Sequence, residues 1–104
     1  PVPAKKKASA QLAAGYNQII GIDERLERLD SAVAENESRI RQLTNQAQQY
    51  TARYDFQKLA DCLKAAENLQ KHNSQLFKLI GQTENKLSAI ARKIASEAKQ
   101  INRK

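Results

Sequence analysis

The sequence predicts an all-α protein, a long antiparallel two-helix coiled-coil hairpin that oligomerises into a helical bundle. Three observations lead there. Both prolines lie within the first three residues, apolar residues recur in steps of three and four from Leu12 to Ile101, and the phase of that recurrence breaks once, near the middle of the chain. A three-helix bundle, with a further break near His72 to Ser74 or at Gly81, is the alternative.

Pro1 to Ala8 reads as a flexible basic arm, and residues 9–104 as a single helical-hairpin domain. No proline interrupts the chain after the arm, so helix can run long. The first seam visits Leu12, Gly15, Ile19, Ile22, Leu26, Leu29, Val33, Asn36, Ile40, Leu43, Ala47, Tyr50 and Tyr54. That is a heptad pattern held over about six repeats.

A second seam visits Leu59, Cys62, Ala66, Leu69, Asn73, Leu76, Ile80, Thr83, Leu87, Ile90, Ile94, Glu97 and Ile101. The two frames differ by two residues, which is neither of the three- or four-residue insertions that a continuous coiled coil absorbs by local unwinding. The reset therefore predicts a turn near residues 51–57, with Asp55 as the N-cap of the second helix, although no glycine or proline marks the place. Each arm would span roughly 65 Å at the helical rise of ~1.5 Å per residue. Glu24 with Arg28, Glu35 with Arg39, Glu37 with Arg41 and Glu67 with Lys71 place acid before base four residues apart. Each such pair supports helix by only ~0.2–0.5 kcal/mol, so the seam decides stability.

A turn centred on Tyr54 and Asp55 pairs residues whose numbers sum to 109. Ile19 then faces Ile90, Ile22 faces Leu87, Leu29 faces Ile80, Val33 faces Leu76, Ile40 faces Leu69, Leu43 faces Ala66 and Ala47 faces Cys62. The one asparagine in each seam, Asn36 and Asn73, falls in the same layer. A slip by one heptad would strand each amide in an apolar layer, so this pair is the expected register-setting core.

The chain has 104 residues, with 18 Lys+Arg against 11 Asp+Glu, and a formal charge of +7. Residues 11–91 carry ten basic and ten acidic side chains, so the excess lies at the two ends. A hairpin would bring Lys5, Lys6 and Lys7 to the same pole as Arg92, Lys93, Lys99, Arg103 and Lys104, the candidate contacts for nucleic acid or another anion. The flanks of the seam are unequal. Asp23, Asp30, Glu37 and Glu84 mark one edge, and Arg25, Arg39, Arg53, Lys86 and Lys93 the other, which suits partners of opposite sign, a second copy included.

Apolar residues outside the seam suggest contact surfaces. Leu63, Phe77 and Leu79 flank the second seam, Tyr16 and Ile20 form a smaller patch near the basic pole, and Tyr50, Tyr54 and Phe56 gather at the tip. Two helices cannot cover all of these, so self-association is expected.

Chemistry is thinly represented. One Cys and one His supply no disulfide and no zinc constellation, and no nucleophile elbow or glycine-rich phosphate loop occurs. Cys62 reads as a small core residue and His72 as a solvated one. The sequon Asn36-Glu37-Ser38 falls on the seam and reads as an accident. No catalytic, cofactor-binding or metal-binding residue is assigned, and no small-molecule substrate is expected. The basic start is followed by Ala8, Ser9, Ala10 and Gln11 and no apolar signal core, and no run of apolar residues would span a bilayer, which points to a soluble, cytoplasmic or otherwise intracellular protein. The expected partners are itself and another protein, in an adaptor or structural role. Nucleic acid is the second expectation, and an anionic membrane ranks behind both.

Overall fold

The computed structural model describes the backbone of residues 4–102 and the side chains of residues 8–101. They form two helices, α1 (Ala4–Ala52) and α2 (Phe56–Asn102), packed as a hairpin, with no strand among the described residues. Helix α1 starts inside the segment assigned to the basic arm, because Ala4, Lys5, Lys6, Lys7, Ala8 and Ala10 include the strongest helix formers. Helix α2 runs unbroken through His72–Ser74 and Gly81, so the three-helix alternative is not the arrangement of this chain.

The reversal is tight and its chemistry is unusual. Helix α1 ends in a Schellman motif: the Asp55 N–H donates to Tyr50 O at 2.9 Å and the Tyr54 N–H to Thr51 O at 3.2 Å. That geometry needs a left-handed residue, and Tyr54 supplies it at φ 60° without being glycine. Asp55 then caps α2, its Oδ1 accepting from the Lys58 N–H at 3.3 Å while its carbonyl accepts the first helical bond from the Leu59 N–H at 3.1 Å.

The seam residues are the shielded ones. Every second-seam position from Leu59 to Ile101 is buried or half-buried, and so is every first-seam position from Leu12 to Tyr50. Tyr54, the last predicted seat, is 80% exposed because the helix has already ended.

The hairpin comprises two compact units, Arg28–Ile80 and Pro1–Glu27 with Gly81–Lys104. In Arg28–Ile80, Leu43, Ala47 and Cys62 form a buried cluster, and Tyr50, Leu59, Ala65, Ala66 and Leu69 pack against it. Val33 and Leu76 are buried in the same unit. Its register is fixed by the asparagine layer: Asn36 Nδ2 donates to Asn73 Oδ1 at 2.8 Å, and Asn73 Nδ2 to the Val33 carbonyl at 3.5 Å. Those bonds offset the cost of placing an amide in the seam, and no buried side-chain nitrogen or oxygen among the described residues lacks a partner.

The other unit packs differently. Its seam residues Leu12, Ile19, Ile22, Leu26, Leu87, Ile90 and Ile94 are half-buried, and the one buried side chain among its described residues is the polar Thr83. Gly15 sits so close to α2 that a Cβ there would lie 2.7 Å from Ile94 Cδ1. That contact again joins residues whose numbers sum to 109.

Of the four expected ion pairs along the helices, Glu67 and Lys71 meet at 3.3 Å. Glu24 with Arg28, Glu35 with Arg39 and Glu37 with Arg41 do not close, and Arg39 instead donates to Gln42 Oε1 at 3.2 Å. A few tenths of a kcal/mol at ~0.2–0.5 per pair does not hold two long exposed side chains together against solvent and rotamer entropy.

Candidate functional site

No group of His, Cys, Asp or Glu among the described residues could hold a metal ion, and no described helix is long and apolar enough to cross a membrane. Cys62 is buried against Ala47 and its thiol approaches Gln46 Oε1 at 3.9 Å. His72 is exposed. What remains as candidate functional surface is the exposed apolar side chains and the distribution of charge.

In Arg28–Ile80, three large apolar side chains of α2 stay exposed on one line. Phe56 (60%), Leu63 (54%) and Phe77 (54%) are separated by seven and fourteen residues. At ~3.6 residues per turn that spacing keeps them on one flank of the helix, beside the seam. A groove of about 430 Å³ opens on this flank, lined by Glu37, Ile40, Arg41, Gln70, Asn73, Ser74 and Phe77. Phe77 therefore sits next to the asparagine layer, with Glu37 of α1 across the groove. Leu79, two residues on from Phe77 and so about 200° around the helix, lies on the opposite flank and is less exposed, at 38%.

Sequence reading groups Leu63, Phe77 and Leu79 as one flank and Tyr50, Tyr54 and Phe56 as one tip. The structure regroups them. Tyr50 is half-buried against the Leu43–Ala47–Cys62 cluster, with the Lys58 ammonium 5.7 Å from its ring centroid. Tyr54 and Phe56 project outward and meet edge to face at 6.3 Å. Phe56, while touching Tyr54, also lies in line with Leu63 and Phe77, and spacings in multiples of seven residues were the signal that marked it.

Charge divides between the units. Pro1–Glu27 with Gly81–Lys104 holds ten basic and five acidic residues, Arg28–Ile80 eight and six. In the first of these Arg92, Lys93 and Lys99 are exposed on α2. Lys5, Lys6 and Lys7 lie on the helical backbone of α1 with their side chains outside the described residues, and Arg103 and Lys104 lie outside them entirely. Two shallow grooves mark this unit, and Gln11 and Glu97 line both. Tyr16 and Ile20 are exposed there as well.

Comparison of the chain with protein-family models, with curated proteins and with solved structures returns no match.

Proposed function

We propose that this is a non-catalytic coiled-coil interaction protein that self-associates and serves as a scaffold or adaptor. The observation behind this reading is the exposed line Phe56, Leu63 and Phe77 beside a hairpin whose seam is already filled by its own two helices. Side chains of this size left half in water on one flank mark a contact surface, and burying their exposed portions is worth roughly 1 kcal/mol each. Light scattering across a concentration series tests it. The expected result is a mass above the 11.7 kDa of one chain, lowered by Phe77→Asp. A mass of one chain at every concentration overturns the reading.

The charge of the other unit supports a second reading, contact with nucleic-acid phosphates through Arg92, Lys93 and Lys99 together with Lys5, Lys6, Lys7, Arg103 and Lys104. Here anisotropy of labelled RNA or DNA oligomers should show binding at low salt that falls steeply as salt rises. Absence of binding at low salt removes it.

A further inference from the structure

We infer that copies of the chain associate edge to edge, the acidic apolar edge of Arg28–Ile80 in one copy receiving the basic edge of the same unit in the next. This inference rests on the self-association reading and specifies its geometry. The apolar line is not alone on its edge: Asp30 and Glu37 of α1 and Glu67 of α2 are exposed on the same side, against two cations, Arg41 and the Lys71 that pairs with Glu67 at 3.3 Å. The opposite edge carries Arg28 and Arg39 of α1, Arg53 of the turn and Lys58 of α2, with Glu35 and Asp61 at its margin and the Asp55 carboxylate 3.8 Å from the Lys58 ammonium. Between those cations lie Ala32 and Ala65, two small half-buried residues, and the partly exposed Leu79.

Charge decides which surfaces can meet. A two-fold pairing of acidic edges would cover Phe56, Leu63 and Phe77, but it would bring Asp30 and Glu37 of both copies together in a partly desolvated contact. Like charges at that range are repulsive, and interfaces use such clashes to exclude wrong pairings. Pairing two basic edges repeats the conflict and leaves the apolar line in water. Acidic edge on basic edge is the arrangement in which the apolar side chains are covered and the charges oppose one another. The contact uses a different surface on each partner, so every copy that has bound one neighbour still offers a free edge to another. Such a heterologous contact builds rings or open chains and does not stop at two.

Two full-length variants test the geometry, each disabling one edge at exposed positions: Phe77→Asp with Leu63→Asp on the acidic edge, and Arg39→Glu with Lys58→Glu on the basic edge. Circular dichroism confirms helix in both. Sedimentation equilibrium should find the unaltered chain growing beyond two copies with concentration, and each variant alone reduced to a single chain. An equimolar mixture should form a discrete species of twice the 11.7 kDa chain mass, since each variant keeps the edge that the other lacks. If the unaltered chain assembles but the mixture stays at single-chain mass, or either variant still assembles alone, the edge-to-edge inference is overturned while self-association stands. An unaltered chain that never assembles overturns both. Should the basic-edge substitutions disturb folding, Arg53→Glu with Arg28→Glu makes the same cut without touching α2, with the same outcomes.

Discussion

The two units of this hairpin use the same spacing of seam residues and fill it differently. In Arg28–Ile80, Leu43, Ala47 and Cys62 pack into one cluster with Leu59, Ala66 and Leu69 against it, and Val33, Leu43, Ala47, Cys62 and Leu76 are buried. In Pro1–Glu27 with Gly81–Lys104, the seam contains Gly15, Thr83 and Glu97, its aliphatic residues are half-buried, and all three glycines of the chain occur. Periodicity alone brings two helices together, but the depth of burial depends on which side chains occupy the layers. The less tightly packed unit is also the more basic. Packing and charge are thus apportioned to different units of one chain.

The widest gap between the units should appear on truncating the seam. Leu43→Ala, at a site 6% exposed, should cost about 2–4 kcal/mol in urea unfolding, whereas Leu87→Ala at a half-buried site should cost roughly 1–2. Equal losses would erase the distinction. A smaller effect tests the polar layer that anchors the better-packed unit. Asn73→Leu leaves the Asn36 amide without its 2.8 Å partner and should destabilise by about 1–3 kcal/mol, while changing both asparagines to Leu should restore most of that loss. A double variant no better than the single one would contradict the pairing.

Tyr54 is the strained position of the well-packed unit. Tyr54→Gly should raise stability by about 1 kcal/mol, since glycine adopts φ near 60° without the Cβ penalty, less the extra entropy it brings to the unfolded chain. The smallest effects concern the glycines of the other unit. Gly21 has nothing within 4 Å of a built Cβ, so Gly21→Ala should gain roughly 0.5–1 kcal/mol in thermal unfolding. Gly15→Ala should gain less, because Ile94 must rotate away.

Much of this fold was legible in the residues. The three-four spacing marked the shielded positions of both helices, and the two-residue change of frame placed the reversal between the right residues. Asp55 was recognisable as a cap because a carboxylate suits the free N–H groups of a helix start. The asparagine layer was readable because one polar seat in each seam must find the other. What sequence could not reveal was the left-handed Tyr54, since tyrosine carries no preference for that conformation and the context imposes it. The start of α1 was hidden by a lysine run that reads equally as arm or as helix. The uneven burial was hidden too, because both units keep the period. The exposed apolar line was legible only in part: its residues were identified, but neighbours in sequence such as Phe77 and Leu79 were joined when helical geometry parts them.

The most direct test of the division between the units is amide hydrogen exchange along the chain, measured at a concentration where the protein is a single copy. The slowest exchange is expected in residues 33–47 and 62–76, where the buried side chains and the asparagine layer lie, with distinctly faster exchange in residues 8–26 and 83–101. Uniform protection along both helices, or slower exchange in the basic unit, would contradict it.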